Sequence, residues 1–277
     1  MRRRSREFHL RGSVASYARN NTPHYRYQYG DPGGPVENQD HGVWDPEVGL
    51  IVADGIGGEE GGARLSRAAV EAVMLHAKAL GLGEMPADEG VDVVRDTLLP
   101  KVDEHIADVK KHGELSRGAG TTLGALLVVR GALVTVGIGD SPVYGYTRNG
   151  GGKITEEQGY RNFLSNALLG HGRPRPTTEN PNPDQVFPIS LEDGMRFLIA
   201  TDGLLGDRPE QRLPNDRIQG CLYGGRNPDI VASAIARLPM DLLVARAFVL
   251  VENDAMVPYT PKRDDLTAGV LFVEQKR

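Results

Sequence analysis

Apolar residues in this chain gather into short runs that end on glycine or acid. Residues 49–53, GLIVA, read as a short strand that runs straight into the glycine-rich DGIGGEEGG. Residues 24–30, HYRYQYG, alternate aromatic and polar positions as a half-buried strand does, and DPGGP at 31–35 breaks regular structure. From Ala63 to Leu80 the positions Leu65, Ala68, Ala69, Ala72, Val73 and Leu75 recur at helical spacing. A second helix is expected over about Asp88 to Lys111, with Pro100 kinking or interrupting it. In the middle of the chain TTLGALLVV, ALVTVGIGD and PVYGYTR are separated by RG and SP, breaks of the kind that join neighbouring antiparallel strands. A polar, proline-rich loop follows at 172–185. MRFLIATDG then reads as a strand ending in an acidic loop, a helix is expected near 228–238, and LTAGVLFV makes a final strand. Long helices between groups of antiparallel strands predict an α+β fold with helices packed on sheets. No stretch resembles a linker between two cores, so residues 1–277 are expected to form one domain, with 1–23 a flexible or peripheral N-terminal extension.

Several strands share an acidic tip. LIVADG ends on Asp54, VTVGIGDS on Asp140 and FLIATDG on Asp202, while Asp264 and Asp265 open RDDLTAGVLFV. Asp40, in NQD, adds a carboxylate just before the Asp54 strand. Carboxylates at rigid strand ends can be held at fixed separations, and such oxygen ligands suit hard cations such as Mg²⁺ or Mn²⁺. Converging carboxylates repel one another unless cations sit between them, which suggests a dinuclear site. Any one Asp-Gly is more often a turn than a ligand. The argument rests on several in combination.

Other chemistries find little support. The glycine-rich loop lacks the Gly-Lys-Ser/Thr of a P-loop and the spacing of a dinucleotide fingerprint. The seven histidines form no HExxH or HxH pattern, so zinc is disfavoured. No GxSxG elbow occurs, and the lone Cys221 has no nucleophile motif around it. One cysteine in 277 residues also excludes an internal disulfide framework and fits a reducing compartment, with cytoplasm the expectation. Net charge is −5, so the chain as a whole is no nucleic-acid platform, and no apolar run approaches a membrane span. The basic terminus (Arg2, Arg3, Arg4, Arg6) is able to touch nucleic acid or an acidic membrane, but reads first as a frayed, solvated end.

In order along the chain, NQD (38–40), VADGIGGEEGGARLS (52–66), GAGTTLGALLV (118–128), VGIGDS (136–141), NALLG (166–170), ATDGLLGD (200–207) and RDDLT (263–267) resemble the successive motifs of PP2C-type (PPM) metal-dependent serine/threonine phosphatases. The resemblance implies a four-layer sandwich, two antiparallel β-sheets flanked by α-helices, with two Mn²⁺ or Mg²⁺ ions in a cleft at one edge. It implies that Asp54 bridges both metals, that the Gly55 carbonyl binds the second, and that Asp202 and Asp264 hold the first. Asp40 would orient the attacking water, and Asp140 with Asp202 would hold a third, weaker ion. Thr121, Thr122 and the Gly57–Gly58 pair are expected to be structural. The implied reaction is in-line hydrolysis of phosphoserine and phosphothreonine by a metal-bridging water, on a phosphorylated protein partner and opposing a Ser/Thr kinase in signalling.

The sequence departs from that pattern in places. Pro35 stands where relatives carry a phosphate-gripping arginine, Gln39 replaces a usual glutamate, and Pro142 replaces the arginine of GDSR. Ile56 occupies a position where some relatives have a histidine proposed as general acid. Between KITEEQ and YRNFLSNALLG most of a flap segment is missing. Arg26 is a candidate substitute phosphate binder, although an ordinary surface arginine on a strand is the commoner case. Two alternatives follow: a weak pseudophosphatase serving as a phosphoprotein-binding module, or a phosphatase for small molecules.

Overall fold

The computed structural model describes residues 7–17, 38–56, 59–160, 163–164, 166–173, 182–205, 211–244, 248–251, 255–258 and 265–276. The expected strand at 24–30, the break at 31–35, the basic terminus, Gly57–Gly58 and Asp264 lie outside them.

Strand β3 (Gly49–Ala53) shows why the fold has layers. Leu50 and Val52 face one core, while Ile51 and Ala53 face another, because side chains alternate along a strand. β6 (Leu123–Val129) repeats this, with Leu126 on one side and Leu123, Ala125, Leu127 and Val129 on the other. Together with β2 (His41–Asp45), β7 (Ala132–Ile138) and β12 (Phe187–Ser190) they form a sheet in the order β12-β7-β6-β3-β2. β13 (Arg196–Ala200) and β16 (Leu266–Gln275) alternate in the same way. Phe197, Ile199, Leu271 and Val273 meet the first sheet, whereas Leu198, Ala200, Ala268, Val270 and Phe272 face outward to helices. This second sheet runs β1-β16-β13-β8-β9, with β1 Phe8–Tyr17, β8 Val143–Thr147 and β9 Gly150–Lys153. Burial on both faces explains why these strands read as continuous apolar runs.

Helix α1 (Glu59–Leu80) packs on the first sheet through Leu65, Ala68, Ala69, Ala72 and Val73. Leu75, counted in the same periodic set, is 62 % exposed and lies off that face. The expected second helix is α2 (Ala87–Val93) joined to α3 (Leu99–Gly113) by a π turn over Val94–Leu98. Pro100 neither breaks nor ends it. A proline cannot donate to the carbonyl four residues back, and the wider turn immediately before it, in which the Leu99 amide reaches Val94 O, lets the chain continue. On the far side of the second sheet lie α4 (Asp202–Leu205), α5 (Asn215–Gly224) and α6 (Pro228–Val244). The result is the expected α+β sandwich of two antiparallel sheets flanked by helices. Among the described residues no helix is long and apolar enough to cross a membrane.

Three features differ from the sequence reading. Residues 8–17, inside the stretch expected to be a flexible or peripheral extension, form β1 and pair with β16 from Phe8↔Gln275 to Tyr17↔Leu266. Phe8, Leu10 and Val14 reach the inter-sheet core, and Gly12 admits the Trp44 ring, which stands 2.6 Å from where a Cβ would be. The SP break does not join neighbours either. The RG turn pairs β6 with β7, but β8 pairs with β13 and β9, so Ser141–Pro142 carries the chain from one sheet to the other. Helix α5 has only Ile218 and Leu222 fully buried, too little periodicity to be read from sequence.

Candidate metal centre

The acidic tips meet at one end of the two sheets. In the β2–β3 ladder His41 stands opposite Ala53, so the next step places Asp40 beside Asp54. The backbone of Asp54 is fully engaged. Its N–H donates to Thr122 Oγ1 at 2.9 Å, and its carbonyl accepts both the Thr122 N–H and the Thr121 hydroxyl at 2.9 Å. Thr122 Oγ1 also lies 2.7 Å from Ser141 Oγ. The tip of β3 is therefore tied to the segment that carries Asp140.

Asp202 begins α4 directly after β13. The β13–β16 ladder extends one residue beyond Ala200: Thr201 N–H donates to Thr267 O at 3.2 Å, and Thr267 N–H donates to Thr201 Oγ1 at 3.1 Å. The Thr201 hydroxyl proton then goes to Asp40 Oδ2 at 2.8 Å. This bond crosses between the sheets and draws Asp40, which is 6 % exposed, toward the Asp202 tip. Asp265, quoted with Asp264 as an acidic strand start, has a different task. Its Oδ2 accepts the Gln39 N–H at 2.7 Å, while Ser66 on α1 donates to Gln39 O at 2.5 Å.

Gly55 opens the two-residue strand β4 (Gly55–Ile56), which pairs with β5 (Gly120–Thr121). A Cβ on Gly55 would stand 2.3 Å from the Gly62 carbonyl, and one on Gly62 would stand 3.0 Å from the Gly55 carbonyl oxygen. Only a pair of glycines lets α1 approach this closely. Neither position can carry a side chain while the Gly55 oxygen stays where it is.

At this end of the sandwich, hydroxyls bond the Asp40 carboxylate, the Asp54 backbone and Ser141, and the last of these stands next to Asp140 as Thr201 stands next to Asp202. Among the described residues no three His, Cys, Asp or Glu side chains stand together as a group that could hold a metal ion, and Asp264 lies outside the described residues. The donor chemistry fits a hard cation: carboxylates and one backbone carbonyl, all oxygen. Burial, with Arg67 as a second cause, holds the neighbouring His41 below its ordinary pKa, against a smaller opposing effect of Glu71. Thr201, Thr267 and Ser66 were not singled out in the sequence. The signal for the two threonines is their place beside an acidic tip, in ATDG and DDLT. Thr121 and Thr122, expected to be structural, anchor the Asp54 backbone. Pro35 and Arg26 lie outside the described residues, and the shortened flap segment holds a small hairpin, β10 (Gly159–Tyr160) with β11 (Phe163–Leu164).

The sequence profile described as Protein phosphatase 2C matches residues 36–219. The chain belongs to the protein phosphatase 2C family. Comparison with curated proteins gives no match by sequence. Among solved structures, this protein phosphatase 2C resembles the catalytic domain of the serine/threonine phosphatase PstP in complex with two manganese ions, at 20% identity and a TM-score of 0.66, over 97% of this chain and 100% of that one. It also resembles PppA of Pseudomonas aeruginosa, described as a key regulatory component of T6SS, at 18% identity and a TM-score of 0.63, over 95% of this chain and 97% of that one. A third likeness is to the PPM Ser-Thr phosphatase MsPP from Mycobacterium smegmatis in complex with cacodylate, at 22% identity and a TM-score of 0.60, over 95% and 97%. At these identities the structural likeness speaks for the fold, while the profile match speaks for the family.

Proposed function

We propose that this protein phosphatase 2C hydrolyses phosphoserine and phosphothreonine in proteins, using Mn²⁺ or Mg²⁺. The observation that supports this most directly is the Thr201–Asp40 bond together with the Thr122 bridge, at the end of a family member's fold where Asp54, Asp140 and Asp202 close their strands. Asp54, the Gly55 carbonyl, Asp202 and Asp264 are the proposed holders of two cations, and Asp140 with Asp202 of a third, weaker one. Divalent cations, when bound, lower the pKa of water toward neutrality and offset charge on phosphoryl oxygens. The chain's own contribution is position. Thr121 and Thr122 fix Asp54 through its backbone, and Thr201 holds Asp40 through Oδ2, which supports the proposed role of Asp40 in orienting the attacking water. No phosphoenzyme is invoked. A phosphorylated protein opposing a Ser/Thr kinase is the proposed partner, and the cytoplasm the proposed compartment, in keeping with a lone cysteine. We also propose one domain over residues 1–277.

The deciding experiment is hydrolysis of an aryl phosphate and of a phosphothreonine peptide, with Mn²⁺ and after metal removal with EDTA. Mn²⁺-dependent release of phosphate from both is expected. Full turnover in excess EDTA would remove the metal mechanism, and absence of turnover at any metal concentration would leave a binding module.

A further inference from the structure

Gly139, the residue before Asp140, has a φ of +87°, and a Cβ there would stand 2.7 Å from Thr122 Cγ2. The chain therefore turns at this point in a conformation that only glycine adopts without strain. Thr122 lies on one side of the turn and Gln158 holds its backbone groups. The Gly139 N–H donates to Gln158 Oε1 at 3.0 Å, and the Gln158 N–H donates to Gly139 O at 2.7 Å. One residue thus satisfies both backbone groups of the glycine that aims Asp140.

Gln158 is itself held. Its Oε1 also accepts from Asn166 Nδ2 at 3.1 Å, and its Nε2 donates to Pro183 O. Asn166 donates to Pro183 O at 2.8 Å and to Asp184 Oδ1 at 3.1 Å, while its own Oδ1 accepts from Arg173 Nη2 at 3.1 Å. Arg173 pairs with Asp184 through both Nε and Nη2, and the two side chains are 6% and 5% exposed. Charge-assisted bonds of this kind are the strongest in a buried network. Asp103 completes it by accepting the Gly170 and Gly172 amides at 2.9 and 2.7 Å. This much buried polar order exceeds what a surface turn requires, and Gln158 carries it to the Gly139 turn.

We infer that Gln158 is a positioning residue for Asp140: its side-chain oxygen on the Gly139 amide sets where the Asp140 carboxylate stands and thereby the affinity of the weak third cation. The inference rests on the reading of Asp140 as a ligand of that cation. Gln158 touches neither substrate nor metal and acts through the turn.

The test is calorimetric titration with Mn²⁺ of the wild type and of the Gln158→Met, Gln158→Asn and Asp140→Ala proteins, each checked by thermal melting. Met keeps the length and loses the acceptor; Asn keeps the amide and withdraws it from Gly139. The two tight ions should bind all four proteins alike. The weak ion should bind the folded Gln158 variants about tenfold less well, the equivalent of one lost hydrogen bond. Asp140→Ala should lose it. In parallel, kcat at limiting Mn²⁺ should fall and recover at saturation, with KM for an aryl phosphate unchanged. A folded Gln158 variant that binds the weak ion as wild type does, beside an Asp140→Ala protein that does not, overturns the role of Gln158 alone. An Asp140→Ala protein that keeps the weak ion overturns the reading of Asp140, and the inference with it.

Discussion

Thr201 donates its hydroxyl proton to Asp40 Oδ2 at 2.8 Å while accepting the Thr267 amide at 3.1 Å, so one side chain fastens the tips of β13 and β16 to a carboxylate that precedes β2 of the other sheet. Thr201→Val keeps the shape and removes both bonds. The Thr267 amide and an Asp40 oxygen then lose a buried partner, a cost of about 1–3 kcal/mol each. We expect a lower melting temperature and a kcat at least tenfold down in Thr201→Val, with both largely restored in Thr201→Ser. A valine variant with wild-type kcat would show that this bond does not serve the chemistry.

Asp54→Ala and Asp202→Ala should each abolish turnover. In the proposed ligand set Asp54 bridges the two cations, so its loss should also release an ion, readable by metal analysis after gel filtration. Backbone bonds from Thr121 and Thr122 do not involve the Asp54 carboxylate, so the fold should survive, which a thermal melt will check. Wild-type activity in Asp54→Ala would show that the ligands have been assigned wrongly.

Lys110 is buried on α3, and its ammonium donates to the carbonyls of Arg117, Ala119 and Leu169 at 2.8, 2.7 and 2.8 Å. Burial lowers its pKa from the ordinary lysine value, with Asp103 opposing the shift. Lys110→Met fills the space yet strands three carbonyls, so we expect about 3 kcal/mol of lost stability. For a chain of this size that is a fall of roughly 5 °C in Tm. A change below 2 °C in differential scanning calorimetry would mean that water takes over all three.

The family resemblance puts Pro35 at the place of a phosphate-binding arginine, and a guanidinium fork on phosphate would make paired bonds that proline cannot. Pro35→Arg should lower KM for an aryl phosphate several-fold with little change in kcat, the mark of added uniform binding. An unchanged KM in a variant that melts like the wild type would locate the phosphate grip elsewhere.

The acidic tips were legible because each closes an apolar run: Ala53 before Asp54, Ile138 two residues before Asp140, Ala200 before Thr201–Asp202. β3, β13 and β16 were legible for the same reason, being buried on both faces. β1 was not, because Arg11, Gly12 and Ser13 interrupt its alternation and its place depends on a partner strand about 250 residues or more away. Ser141–Pro142 reads locally as a hairpin turn. Only the packing of β8 on β13 reveals that it changes sheets. The buried network from Gln158 to Asp103 left no periodic trace, since all its members but Asp103 on α3 come from loops and are united by hydrogen bonds rather than by a shared face.

The two sheets meet where Gly269 on β16 faces Leu50 and Val52 on β3, and a Cβ there would stand 3.0 Å from each. Asp54 hangs from one of these sheets and Asp202 from the other, so the distance between the proposed ligands is a thickness, fixed by how closely two layers of aliphatic side chains interleave. The cleft's gauge is thus set by residues that touch no oxygen and no ion. In Gly269→Ala, a shim of one methyl group in the hydrophobic interior should detune metal affinity from afar, a drift that Mn²⁺ titration would read even where the acidic end keeps every one of its own atoms.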